Sequence, residues 1–355
     1  MATFFLSALL CASAAQGPVY VAADRLRLRD APKTGTQRAT LGINTPLDVV
    51  KAHGDWLEVE EPVCGVRGFL PKALLADTPL TAAEAERRAD AARDPQVRLT
   101  WLERALALDG RRQDLFKQLL EVRTQLGKPL ALTELREYLA ERRLGPALTG
   151  LGIFREGDTP VEDGEVWWGL FVDGEAASLA PACAQVKVSH EEGEDGEQVP
   201  LRKISVKGRR QPVFLFRGLV APQAGPVPGR WINTREEPRL GLIYHFEIGA
   251  ARFWLGATGE CKAAGVITDY RVTLAGKVDY PPVTLFERPD TFEPTRMPPN
   301  ITVEFVGDLD RDGRPDVLLN ESPEAIAWTE ELRLSSWAPD GKPLGRFASQ
   351  MISGD

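Results

Sequence analysis

Ile301-Thr302-Val303-Glu304-Phe305-Val306 leads into Asp308-Leu309-Asp310-Arg311-Asp312-Gly313-Arg314-Pro315-Asp316, and the chain continues as Val317-Leu318-Leu319. The acidic run is the one place where spacing alone specifies a chemistry. A calcium ion takes six to eight oxygens at about 2.3–2.6 Å, and a loop can offer them from alternate positions 1, 3, 5, 7 (through a main-chain carbonyl) and 9. Counted from the first aspartate, those positions are Asp308, Asp310, Asp312, the carbonyl of Arg314, and Asp316. Gly313 falls at position 6, where the chain must turn sharply. Carboxylates packed this closely repel one another, and a cation turns the repulsion into coordination. The flanking runs are short, apolar and rich in β-branched residues, so both read as strands. The stretch therefore predicts a β-hairpin whose loop holds a structural Ca2+.

An EF-hand would place a bidentate Glu at position 12 and a helix on either side. Position 12 here is Leu319. The residues resemble instead the FG-GAP type repeat of integrin-like β-propellers, whose loop has the form D-x-D-x-D-G-x-x-D. The resemblance covers Ile301 to about Asn320, in a single copy. A propeller needs several blades, so the resemblance implies the calcium hairpin and not the propeller.

Working outward, the chain has 355 residues, enough for two or three domains. Its net charge of −8 argues against a nucleic-acid partner, because phosphate binding needs a basic face. The first residues, 1–15, run through Phe4-Phe5-Leu6 and Leu9-Leu10-Cys11 to Ala12-Ser13-Ala14. A short apolar run followed by an A-x-A pattern reads as a secretory signal peptide, so the chain is expected to be exported, periplasmic or extracellular. A lipid anchor on Cys11 is the less favoured reading, since Leu10 stands where a small residue is usual. No later stretch is apolar enough to span a bilayer. Export permits disulfides. Cys183 and Cys261 fall in the same β-rich region and are expected to pair, leaving Cys64 as a small buried apolar residue.

Residues 17–77 carry Leu26-Arg27-Leu28-Arg29-Asp30-Ala31-Pro32, Gly54-Asp55-Trp56-Leu57-Glu58-Val59 and Gly65-Val66-Arg67-Gly68-Phe69-Leu70-Pro71. Short strands at this spacing indicate a small barrel. The pattern resembles a bacterial SH3-like domain, with its L-N-V-R-x-x-P, G-x-W-x-x-V and G-x-x-G-W-V elements. It departs at Arg27 and at Phe69. The resemblance implies attachment to a cell-wall peptide or an envelope protein. Trp56 is a possible ligand contact, although a packing role is the plainer reading for such an aromatic. In residues 78–148, Trp101, Leu102, Ala105, Leu106 and Leu108 keep the i, i+3, i+4 spacing of one helix face, as do Leu115, Leu119, Leu120 and Val122. Leu132, Leu135, Tyr138 and Leu139 follow after Gly127-Lys128-Pro129. Trp101–Asp109 resembles the second helix of a tetratricopeptide repeat. A single repeat cannot stack into a solenoid, so a helical spacer is expected.

Residues 150–290 alternate apolar runs, among them Val166–Val172, Pro212–Phe216, Leu240–Phe246 and Tyr270–Leu274, with Gly-, Pro- and Asp-rich turns. They predict an antiparallel, sandwich-like β domain, and 298–355 complete the calcium-hairpin region. The fold class is thus multidomain and mainly β: a small SH3-like barrel, a short helical hairpin or bundle, and a β-sandwich-like domain ending in the calcium loop. Other chemistry is sparse. The acidic loop His190–Glu197 is broken by glycines and reads as a solvated turn. Only His53, His190 and His245 are available for acid–base or zinc work, and no G-x-S-x-G or C-x-x-C occurs. The leading expectation is a non-catalytic, exported envelope-binding or scaffold protein. Two alternatives stay open at this point: a wall hydrolase whose catalytic domain is the β region, and a scaffold that holds protein partners on its helices.

Overall fold

A computed structural model describes residues 18–23, 25–131, 134–135, 138–139, 146–192, 196–219, 222–232, 238–262, 266–277, 280–294, 299–324, 327–339 and 341–353. The expected leader 1–15 with Cys11, Leu132 of the third helical stretch, and 193–195 of the acidic turn lie outside them. The chain divides into two compact units, Met1–Leu80 and Thr81–Asp355.

The first unit is an antiparallel sheet of seven short strands, in the spatial order 37–41, 26–29, 66–71, 56–61, 46–53, 19–21, 75–76. The alternation read in Leu26-Arg27-Leu28-Arg29 places Leu26 and Leu28 inward. They join Val21, Ala39, Leu41, Leu47, Val59 and Leu70 in one core. Trp56 opens its strand half-buried, paired with His53 and Pro71.

The second unit opens with three helices: α1 (Ala82–Ala91), α2 (Pro95–Leu108) and α3 (Gln113–Gln125). Their starts are written in the sequence. Thr81 caps α1 by accepting from the Glu84 amide, and Asp94 caps α2 by accepting from the Gln96 amide, with Pro95 in the first turn. Leu99, Leu102, Ala105 and Leu106 of α2 are buried, as are Leu115, Leu119 and Val122 of α3.

Three antiparallel sheets follow, stacked as layers. A large sheet holds 147–150, 214–217, 166–173, 176–192, 198–206 and 152–155, with 225–227 added alongside 176–192. An outer sheet holds 243–248, 251–261, 267–276 and 283–288. Between them lies a central sheet ordered 229–231, 301–307, 316–324, 327–334, 345–353. Its middle position follows from its two cores. Phe305, Leu309, Leu318, Leu332 and Phe347 pack with Leu170, Leu179, Phe214 and Phe216 of the large sheet. Ile301, Val303, Val306, Val317 and Leu319 pack with Leu255, Val272, Leu274 and Leu285 of the outer sheet. The uninterrupted apolar run Val317-Leu318-Leu319 is what a strand buried on both faces requires. A register shift between Val303 and Phe305 lets both residues stay buried although they face different layers. The stack is anchored by a tight backbone approach. Gly229, at φ +134°, lies so close to Gly307 that a Cβ there would stand 2.3 Å from the Gly307 Cα.

The expected Cys183–Cys261 disulfide does not form. Cys64 and Cys183 are the disulfide-bonded cysteines, and Cys261 keeps an exposed free thiol. Cys183 lies in the large sheet opposite Val166, whereas Cys261 ends a strand of the outer sheet, with the central sheet between those layers. Cys64 is buried, as expected, but not as a spare apolar residue. Among the described residues no helix is long and apolar enough to cross a membrane.

One polar side chain inside this stack sets a pH dependence. Glu330 is 8% exposed, and its Oε2 finds no hydrogen-bond partner among the described residues. A Cβ at Gly150 would stand 3.5 Å from that oxygen. Burial, and secondly the charge of Glu304, push its carboxyl up to about 8 from 4.5. Folding therefore takes up a proton between those values. The stability this protonation confers is complete below pH 4.5 and is lost as pH rises through about 8. Glu330→Gln should remove that loss, gaining on the order of 3 kcal/mol over the parent at pH 8 and little at pH 4.5, as read from urea melts across the range. Phe305→Ala, which opens a void facing the large sheet, should cost about 3–5 kcal/mol in the same assay.

Candidate metal centre

The acidic run closes the turn between the central strands Ile301–Gly307 and Asp316–Glu324, whose register pairs Gly307 with Asp316. The first and last aspartates are thus set across from each other at the end of a hairpin, as the spacing predicts. Leu309 is fully buried in the core shared with the large sheet. It pins the loop between Asp308 and Asp310. Gly313 turns the chain at φ +82°, a region where a side chain would be strained. Arg311, at φ +64°, reaches out to the Pro226 carbonyl and ties the loop to the neighbouring segment.

One carboxylate oxygen from each of Asp308, Asp310 and Asp316 lies within 4.8 Å of the others. Asp308 is 5% exposed and Asp316 is 0% exposed. Several oxygens already have donors. The Asp316 Oδ2 accepts from the Leu309 amide at 2.7 Å, and its Oδ1 from the Ser335 amide at 2.9 Å. The Asp308 Oδ2 accepts from the Gly313 amide at 3.1 Å. The Ser336 hydroxyl donates to Asp310 Oδ2. Two oxygens are left over: Asp308 Oδ1 and Asp310 Oδ1 are buried without a hydrogen-bond partner among the described residues.

The electrostatics follow. Desolvation is the largest influence on all three and raises each carboxyl above its ordinary value. For Asp316 the rise is large, with the charge of Asp310 adding to burial, while the Ser335 and Leu309 amides oppose it. The Tyr280 hydroxyl is also buried without a partner among the described residues. Burial, then the charge of Asp316, holds its phenol well above the usual range, so it stays neutral. An uncompensated carboxylate in such a place takes a proton, a donor or a cation.

Asp308, Asp310 and Asp316 thus converge as the spacing predicts. Asp312 stands beside the triad with its oxygens engaged elsewhere, Oδ1 by the Arg314 amide at 2.8 Å and Oδ2 by the Ser335 hydroxyl at 2.6 Å. Arg314 is exposed and contributes that amide. Sequence reading missed Ser335 and Ser336. They begin a short 3-10 turn, Ser335–Trp337, at the end of the strand Ala327–Leu334, and they lie 19 and 26 residues from the aspartates they bond. No local pattern announces that approach; only the sheet order brings it about. No family model, curated protein or solved structure matches the chain.

Ser335→Ala removes a hydroxyl that reaches Asp312 at 2.6 Å and Asp316 at 3.2 Å. In chelator it should cost about 1–3 kcal/mol in urea unfolding. The cost should shrink in millimolar calcium, where a cation would compensate the same carboxylates.

Proposed function

We propose that this chain is an exported, non-catalytic envelope protein that attaches through its N-terminal sheet and carries a structural Ca2+ in the Asp308–Asp316 loop. The observation that carries the metal assignment is the pair of buried, donorless oxygens, Asp308 Oδ1 and Asp310 Oδ1, inside a convergent triad. An all-oxygen donor set favours a hard cation over zinc or copper. Asp308, Asp310 and Asp316 would hold the ion, with Asp312 and the Arg314 carbonyl completing the set that the FG-GAP resemblance implies. The ion's chemistry there is charge compensation, which replaces protons on desolvated carboxylates and stiffens the hairpin end.

Export is supported by the disulfide-bonded state of Cys64 and Cys183, which fits an oxidising compartment. Loops of this kind in extracellular modules bind calcium with Kd on the order of 0.1–1 mM, a level met outside cells. Attachment is supported by the resemblance of the first unit to bacterial SH3-like domains and by a cleft of about 480 Å3 within that unit. Val49, Leu57 and Leu75 line the cleft together with Lys72 and Asp77. Apolar walls with one charge of each sign suit a short peptide that carries both amine and carboxylate groups, as cell-wall peptides do.

In thermal melts, about 5 mM calcium should raise the midpoint by about 2–4 °C, equivalent to on the order of 1 kcal/mol. Asp308→Asn should abolish the rise, and an unchanged midpoint in the parent protein would remove the metal assignment. Co-sedimentation with purified peptidoglycan should retain the full chain and lose it on Leu57→Asp. Absence of retention for the parent would remove the wall from the list of partners.

A further inference from the structure

We propose that Trp337 is the positioning residue of the Asp308–Asp316 loop and that it links the loop to the turn between α2 and α3, so that calcium binding and the seating of the helices depend on each other. The inference rests on the metal assignment above and adds to it a contact from the helical segment. Three of the loop's carboxylates take donors from one short turn, Ser335–Trp337. The Ser335 hydroxyl lies 2.6 Å from Asp312 Oδ2 and 3.2 Å from Asp316 Oδ1, and the Ser335 amide donates to that same Asp316 oxygen at 2.9 Å. The Ser336 hydroxyl donates to Asp310 Oδ2, while Asp310 Oδ1 is left without a donor. These bonds set how the carboxylates are rotated. Whatever holds the turn therefore holds the oxygens on offer to a cation.

Trp337 holds the turn by shape. Its indole nitrogen is buried without a hydrogen-bond partner among the described residues, so packing places the ring. The ring meets Phe347 edge to face, with 5.2 Å between centroids, and Phe347 belongs to the core shared with the large sheet. Gly345 closes on the backbone of the turn, where a Cβ would fall on the Trp337 carbonyl. The far end of the ring lies on Gly110, between α2 and α3. A Cβ at Gly110 would stand 2.9 Å from Cη2 and 3.4 Å from Cζ2 of the indole. Gly110 has no left-handed φ, so its missing side chain serves the close approach and not the backbone. The indole is thus a wedge, with the helical turn at its tip and the loop's donors at its base. Displacing the ring moves Ser335 and Ser336 and frees the carboxylates to rotate, and binding must then order them again. Linkage makes the effect reciprocal: an ion that fixes the carboxylates fixes the turn, and with it the seat of Gly110.

The test is isothermal titration of the full-length chain with calcium chloride, joined to hydrogen–deuterium exchange. Gly110→Ala, which pushes a methyl group into the ring, should weaken calcium binding about tenfold, although it lies far from the loop in sequence. Trp337→Phe keeps a ring against Phe347 but lacks the atoms that meet Gly110, and should weaken binding about threefold or more. Gly127 follows α3 at φ +68°, with nothing within 4 Å of a Cβ. Gly127→Ala therefore strains the helical segment without touching the ring, and should stay within about twofold of the parent's affinity. In the parent, calcium should slow amide exchange in residues 106–116 as well as in 308–316. In Gly110→Ala and Trp337→Phe it should slow only the second. Parental affinity in Gly110→Ala, an equal loss in Gly127→Ala, or exchange in 106–116 of the parent that ignores calcium overturns the proposal while the metal assignment stands. Failure of the parent protein to bind calcium overturns both.

Discussion

Burying a strand pair on both of its faces fixes the ends of that pair with little freedom, and the whole candidate centre depends on this. The strands Ile301–Gly307 and Asp316–Glu324 send alternate side chains into two different cores, one shared with the large sheet and one with the outer sheet. Slipping the register by one residue would exchange those two sets, setting Val317 and Leu318 against the wrong layers. The pairing of Gly307 with Asp316 is therefore locked by packing, not by the loop. The loop inherits its geometry: Asp308 and Asp316 start from fixed, adjacent positions, and Leu309, itself a core residue, holds the chain between them. Apolar burial worth tens of kcal/mol across such a stack can hold carboxylates closer and drier than they would settle on their own.

Much of this is legible in the sequence, and the reasons for the remainder are physical. The acidic spacing, Gly313 and the apolar runs on either side are local signals, and they correctly place Asp308, Asp310 and Asp316 together at a hairpin end. The helix face of Leu102, Ala105 and Leu106, and that of Leu115, Leu119 and Val122, are local for the same reason. The misses are all long-range. Ser335 and Ser336 meet the loop only because the strand Ala327–Leu334 lies beside Asp316–Glu324. The cysteine pairing failed because membership of one β-rich stretch does not decide which sheet a strand joins. Nor does the sequence show that the strands of the 301–353 stretch form the middle layer and take the strand Gly229–Trp231 from the preceding region. Periodicity tells how many faces of a strand are buried, and Val317-Leu318-Leu319 did carry that message. It does not tell what buries them.

The same central sheet buries carboxylates at a second place, and the two clusters differ in how their oxygens are served. Glu304 and Glu330 are both raised by desolvation, and for Glu304 the Asn320 side chain opposes that rise. The neighbouring amide that could have served Glu330 is engaged elsewhere. Gln350 accepts from the Gly150 amide at 3.2 Å and donates to the Asp158 carbonyl at 3.2 Å. Each of these carboxyls can lose its charge by taking up a proton, which needs no coordination shell. At the loop, three carboxylates converge, a fourth stands beside them, and backbone amides and serine hydroxyls already hold several oxygens in fixed directions. Such a set could hold a metal ion, provided the remaining oxygens face it. The donorless Asp308 Oδ1 and Asp310 Oδ1 are those oxygens. Desolvation is common to both clusters; what separates them is the number of oxygens left over once the protein's own donors have been assigned.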